Sequence, residues 1–207
     1  MSIALTLASV YYGPLDFNIT HLIRDINHGG VFDKLFTYIT FTGSTIFMAL
    51  IVALLLIGGA RKEALVFSIV FVVTNVLALG IKYIVARPRP SDLGVMPETE
   101  PAFPSAHTVN AFALATTISS YHRKFTIVMY VWALLIAFSR VYLGLHYFTD
   151  VVGGAILGFV VSYVITHMAL RRDKLISRFV NQPIAFMRRL LRPSWRHRIQ
   201  DRTENLE

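Results

Sequence analysis

The chain has 207 residues, 55% of them hydrophobic and 15% charged, with a formal net charge of +8. At a mean hydropathy of +0.56 it is too apolar for an ordinary soluble domain, so a polytopic membrane protein is expected. A soluble helical protein would show a polar face on each helix, which several stretches lack, and the absence of cysteine excludes a disulfide framework.

Residues 1–12 are apolar but too short to span a bilayer. They lack the basic leader and small-residue cleavage site of a secretory signal peptide, and an interfacial position is expected. Residues 16–27 place Phe17, Ile19, Leu22, Ile23 and Ile26 beside Asp16, His21, Arg24 and Asp25, the pattern of a short amphipathic surface helix. Gly29-Gly30 ends it. Residues 31–43 then extend the outer end of the first span, with Asp33 and Lys34 at the water boundary. Residues 1–43 thus read as an N-terminal interfacial, amphipathic region.

Residues 44–170 read as a transmembrane catalytic bundle. Crossing about 30 Å of hydrocarbon takes about 20 residues at about 1.5 Å each, and shorter runs are accommodated by flanking residues. Five runs qualify, at residues 44–59, 64–83, 108–121, 125–142 and 148–170; the third is the shortest and begins at Ser105. Lipid offers the backbone no hydrogen-bond partners, so helices are expected rather than open strands. The expected fold class is all-α, a membrane helical bundle of about five full spans plus N-terminal interfacial helices. Gly154 and Gly158 give a small-xxx-small spacing that suits close helix packing within the chain.

Residues 171–207 carry ten Lys and Arg against four acids. Leu175, Ile176, Phe179, Val180, Ile184, Phe186, Met187, Leu190 and Leu191 interleave with the cations, which suggests an amphipathic surface helix interrupted near Pro183. Attraction to anionic lipid headgroups is the simpler reading of this charge, and no nucleic-acid partner is expected. Arg61-Lys62 and Arg123-Lys124 mark two further basic connections. By the positive-inside rule these three regions are cytoplasmic. The N-terminal region, the loop 87–103 and the turn 143–147 then lie outside.

Three polar islands interrupt the apolar runs, at residues 82–90, 103–107 and 139–150. Ionisable residues at membrane depth are functional candidates by default. Lys82 ends the second span, Arg89 follows it, Ser105 and His107 open the third, Arg140 ends the fourth, and His146 and Asp150 open the fifth. All fall on the outer side, so one shared site is expected. His146 and Asp150 are four apart at a helix entrance, which lets the carboxylate hold one imidazole nitrogen while the other faces a substrate. Ser105 suits a helix cap, and the free N–H groups of the following turn form an anion seat. Pro88 and Pro90 end the second helix, so that Arg89 turns back over the site. Arg89 and Arg140 suit phosphate oxygens with their planar forks, and Lys82 adds a point charge. Arg87 reads as a snorkelling cation at the membrane edge. Asn110 reads as a supporting partner of His107 or an interhelical hydrogen bond, and Asp92, Glu98 and Glu100 as acids of a solvated loop.

The order and spacing Lys82, six residues, Arg89-Pro90; Pro104-Ser105-Ala106-His107; and Ser139-Arg140, five residues, His146, three residues, Asp150 resemble the three-part signature of the type 2 phosphatidic acid phosphatase family. Its relatives include membrane lipid phosphatases, isoprenyl diphosphate phosphatases and soluble vanadium haloperoxidases. The resemblance implies that His146 is a nucleophile forming a phosphohistidine, that Asp150 orients it, and that His107 protonates the leaving oxygen. It implies that Lys82, Arg89, Ser105, Ala106 and Arg140 bind the phosphate, and that no metal or other cofactor takes part. Ala106 departs from the family's usual glycine; alanine keeps the N–H donor but disfavours positive φ, so helical geometry is expected there. A multi-pass lipid phosphate or diphosphate phosphatase of the cell membrane, with its site outside, is the leading expectation. Its substrate is an isoprenyl diphosphate first, with phosphatidic acid or phosphatidylglycerophosphate as alternatives. A noncatalytic lipid-phosphate binding or transport protein is the expectation from another class.

Overall fold

The computed structural model describes residues 14–24, 30–90, 99–177, 180 and 182. The expectations for residues 1–12 and 25–27, for Asp92 and Glu98, and for most of the tail fall outside them. The main α-helices among the described residues are, in order, α1 Pro14–Arg24, α2 Val31–Phe41, α3 Thr45–Ile57, α4 Arg61–Val85, α5 Ala106–Tyr121, α6 Thr126–Tyr142 and α7 Phe148–Arg171, with a 3-10 turn Arg123–Phe125 before α6. No strand occurs among the described residues. Two compact units divide the chain, Met1–Met168 and Ala169–Glu207. In the second, residues 173–177 are helical and Ser177 Oγ donates to the Asp173 carbonyl at 2.7 Å.

Helix α5 is the centre of the bundle. Val109, Asn110, Ala111, Ala113, Leu114, Ala115, Thr116 and Thr117 are all buried, because small residues around the helix let neighbours approach from several sides. α4 and α6 pack against it. So does α7, through its glycines. A Cβ on Gly154 would lie 2.8 Å from the Ser105 carbonyl oxygen, and one on Gly158 would lie 2.5 Å from that of Val109. Only glycine permits backbones that close, as the small-residue spacing predicts. Several buried hydroxyls in the helices return to their own backbone: Thr74 Oγ1 donates to Val70, Thr117 to Ala113 and Ser162 to Gly158, which offsets their burial.

Helices α4 and α7, and residues 123–142 containing α6, are each long and apolar enough to cross a membrane. α5 has 16 residues and is not among them; its surroundings are protein on most sides. α2 and α3 pass the same test only together, and they are bent by 54°. Residues 31–43 are therefore not a straight extension of the first span. Ser44 starts a new helix by accepting from Phe47 N at 3.2 Å, and Gly43 lies so close to α5 that a Cβ there would be 3.2 Å from the His107 carbonyl oxygen.

Helix α1 also differs from expectation. It is helical, but part of its polar side is buried: Asp16 and Thr20 are buried and Leu22 is 69% exposed, while Ile23 packs against the core beside Val141 and Tyr142. The polar side faces inward because it caps another helix. At the start of α7, Phe148 N donates to Thr20 Oγ1 at 3.1 Å and Thr149 N donates to Asp16 Oδ1 at 3.0 Å. These are N–H groups that a helix cannot satisfy internally, and a carboxylate there also suits the helix dipole.

Candidate active site

The polar islands meet at one end of the bundle. Lys82, Arg89, Ala106, His107, Arg140 and His146 line a cavity of about 380 Å³, together with Thr45, Thr99, Glu100 and Asn110. Six of the eight residues singled out in the sequence thus share one cavity. Ser105 and Asp150 are fully buried and do not line it.

Each segment arrives by its own local rule. α4 stops at Ala86, which takes a left-handed conformation at φ 48°, with its N–H donating to the Lys82 carbonyl at 2.8 Å. This is the usual way to end a helix, though glycine is the usual residue. The reversal and the two prolines bring Arg89 back, as expected. Its Nε donates to the Glu100 carbonyl at 2.6 Å, its NH1 donates to the Leu145 carbonyl at 2.9 Å, and NH1 lies 3.2 Å from His146 Nε2. Lys82 Nζ donates to the Pro101 carbonyl and stands 3.7 Å from the Glu100 carboxylate. Glu100, expected as a plain loop acid, is at the cavity wall.

Ala106 is the first residue of α5, and among non-glycine residues Ala86 has positive φ while Ala106 does not. The expected helical geometry is present. Ala106 and His107 line the cavity, so the N–H end of α5 forms part of its wall, an environment suited to anions. Ser105 occupies the cap position, but its hydroxyl makes no capping bond; it accepts from Thr108 Oγ1 at 3.1 Å, while Ser105 N donates to the Asp150 carbonyl at 3.0 Å. This corrects the expected side-chain cap: ψ of 109° at Ser105 accompanies a tie to α7. Asn110 accepts from Asn75 Nδ2 at 2.9 Å and donates to the Gly43 carbonyl at 3.2 Å, so it is an interhelical connector at the cavity floor.

His146 lies in the turn between α6 and α7 and not on the helix. Leu145 N and His146 N both donate to the Arg140 carbonyl, at 3.0 and 3.3 Å, and Gly144 supplies the left-handed residue of the turn at φ 67°. The same backbone group therefore couples Arg140 to His146. Arg140 NH1 donates to Thr40 Oγ1 of α2 at 3.3 Å. His146 Nδ1 is 3.5 Å from Asp150 Oδ2, a loose approach that leaves Nε2 on the cavity side. Asp150 Oδ2 also accepts from Tyr147 N at 2.9 Å, the backward arm of a capping box.

Arg87 is the residue that sequence reasoning misplaced. It does not snorkel: its side chain is 3% exposed, with NH1 donating to Asp150 Oδ1 at 2.5 Å and NH2 to Asp16 Oδ2 at 2.6 Å. The guanidinium also lies 4.0 Å over the Tyr147 ring centroid. Removing the guanidinium leaves two buried carboxylates without this cation between them, at a cost of about 3–5 kcal/mol. The one sequence hint was Asp16, an acid beside apolar residues with no local cation on its own helical turn.

Comparison with known proteins places this geometry. The model of the PAP2 superfamily matches residues 63–174. Phosphatidylglycerophosphatase B of Bacillus subtilis (strain 168) is 32% identical over 165 residues, covering 71% of this chain and 78% of that protein. Undecaprenyl-diphosphatase BcrC of the same organism is 26% identical over 162 residues, covering 72% and 82%. The crystal structure of a transmembrane PAP2 type phosphatidylglycerolphosphate phosphatase from Bacillus subtilis superposes with a TM-score of 0.70 at 26% identity, covering 81% of this chain and 92% of that one.

Proposed function

The chain belongs to the PAP2 superfamily, and from that premise we propose that it removes the terminal phosphate from a lipid phosphate or isoprenyl diphosphate at the extracytoplasmic membrane face. The observation that carries this reading is the convergence of three cations and two histidines, drawn from separate chain segments, on one cavity.

His146 Nε2 attacks phosphorus, forming an N–P bond as the bond to the leaving oxygen breaks; His107 gives that oxygen its proton. Asp150 faces Nδ1 and orients the ring. Water then attacks the phosphohistidine, with His107 taking its proton, and inorganic phosphate leaves. Two moderate barriers replace one high one. Lys82, Arg89, Arg140 and the N–H end of α5 at Ala106 hold the phosphoryl oxygens, with Ser105 behind it tied to the Asp150 carbonyl. Positioned charge of this kind is the main protein contribution to phosphoryl transfer.

The membrane arrangement follows from the same elements. With α2–α3 as one bent span and α5 as a central span sheathed by its neighbours, five spans cross. Glu63 at the start of α4 and His122 after α5 meet at 3.5 Å, near Arg61-Lys62 and Arg123-Lys124, so the basic connections share the end opposite the cavity and the positive-inside rule assigns that end to the cytoplasm. By its charge the same rule assigns the basic tail sequence to the cytoplasm, where anionic headgroups attract Lys and Arg.

An isoprenyl diphosphate is the first substrate, with phosphatidylglycerophosphate and phosphatidic acid as alternatives; the relatives' names include activities on the first two types. A panel of these lipids with purified protein in EDTA is the test. Phosphate release from at least one is expected, unchanged by the chelator. His146→Ala should lower turnover by at least about 10⁴-fold. Full turnover in that variant would sink the mechanism, and tight binding without hydrolysis by the intact protein would favour a binding or transport role.

A further inference from the structure

We propose that Asp16, on the N-terminal helix α1, is a positioning residue for phosphoryl transfer, acting through Arg87 on Asp150; this rests on the reading of His146 as nucleophile and Asp150 as its orienter. Asp16, Arg87 and Asp150 come from three distant parts of the sequence and are all buried. Their contacts form a directed chain. One arm of the Arg87 fork reaches Asp16 Oδ2 at 2.6 Å and the other reaches Asp150 Oδ1 at 2.5 Å. Thr149 closes the loop: its Oγ1 accepts from Arg87 NH1 at 2.8 Å and donates to Asp16 Oδ2 at 2.8 Å.

This arrangement does more than bury charge. Asp150 Oδ1 is committed to Arg87, so Oδ2 is the oxygen left for Tyr147 N and the His146 ring. Which oxygen faces the imidazole is therefore decided by where the guanidinium sits. A fork can hold two carboxylates at once in fixed planes, and Asp16 fixes the second arm. Without the Asp16 charge, Arg87 is pulled toward Asp150 alone, and Oδ2 is turned away from Nδ1. Supporting groups behind a reacting side chain commonly change activity by about 10- to 100-fold.

A purely structural role is the competing account, because Asp16 also caps Thr149 N. Thr20→Val separates the two. It removes the cap on Phe148 N from the same helix and the bond from Thr20 to the Asp16 backbone carbonyl, but leaves the Asp16 carboxylate and the Arg87 fork in place, so it weakens α1 and its docking without removing the charge. The full chain is assayed in detergent with the lipid phosphate that wild type hydrolyses fastest. Asp16→Asn should lower kcat about 10- to 100-fold with KM within about threefold, and Thr20→Val should keep kcat within about twofold. Asp16→Asn combined with Asp150→Asn should be no slower than Asp150→Asn alone, since both act on one arrangement. Asp16→Glu retains the buried charge balance and serves if the amide variant does not fold; its longer stem should displace the guanidinium and lower kcat about three- to tenfold.

Wild-type kcat in Asp16→Asn or Asp16→Glu overturns the proposal, as do equal kcat losses in Asp16→Asn and Thr20→Val or multiplying losses in the double variant. If wild type releases no phosphate, or His146→Ala remains fully active, the phosphatase mechanism and this role fall together. If those two controls behave as expected and the Asp16 variants keep kcat, only the positioning role falls.

Discussion

Arg87 and Arg89 are two residues apart and belong to opposite electrostatic regions. Arg89 joins Lys82 and Arg140 at the cavity, where Glu100, 3.7 Å from Lys82, is 54% exposed. Arg87 sits behind the cavity, where two buried carboxylates face one guanidinium. Among the described residues, three cations and one acid line the mouth, and two carboxylates flank one guanidinium behind it. The difference teaches that the same residue type lines a cavity in one place and joins buried carboxylates in the next, according to which charges the fold brings near. A cation that lines a cavity differs from one buried between two carboxylates.

The largest effect that sharpens this contrast is expected from Arg89→Ala. Loss of a charged donor aimed at the phosphoryl group should cut kcat about 10²–10³-fold, and Arg89→Lys should recover only part, because a point charge does not replace a planar fork. Steady-state kinetics on the best lipid of the panel provide the check; an Arg89→Ala enzyme with wild-type kcat would break the assignment of the mouth.

Glu100→Gln should have a smaller effect in the opposite direction. The carboxylate stands 3.7 Å from Lys82 Nζ at the cavity wall and competes with an incoming phosphate. Exposed ion pairs are worth roughly 0.2–1 kcal/mol, so KM should fall about two- to threefold, less at high salt. A rise in KM would show that Glu100 helps to hold substrate instead.

The smallest expected effect is at the hinge between the two regions. Ala86 adopts φ 48°, a conformation that costs a non-glycine residue about 1–2 kcal/mol, partly offset by the greater unfolded-state freedom of glycine. Ala86→Gly should therefore raise stability by up to about 1 kcal/mol with activity retained, read from thermal unfolding in detergent. Destabilisation by Ala86→Gly would show that the turn carries little strain.

Much of the candidate site was legible because its residues sit where apolar runs stop. Lys82, Arg89, His107, Arg140 and His146 are costly at such positions, and their common side followed from counting spans. The helical start at Ala106 was legible too, since alanine disfavours the positive φ that glycine would tolerate. Asn110 remained ambiguous because a buried amide serves either a catalytic neighbour or another helix, and only the partners Asn75 and Gly43 distinguish these. The role of α1 was not legible: its alternation of polar and apolar residues fits a surface helix as well as one whose polar face caps a neighbour.

By itself the sequence determined an apolar helical chain with its ionisable residues gathered at the ends of the runs, because hydropathy and spacing are local properties carried along the chain. Only the tertiary structure decided that Arg87 is buried, where the first span bends, and that Asp16 meets Arg87 and Asp150. Those outcomes depend on charges far apart in sequence coming within hydrogen-bond distance, and no local pattern encodes such a pairing.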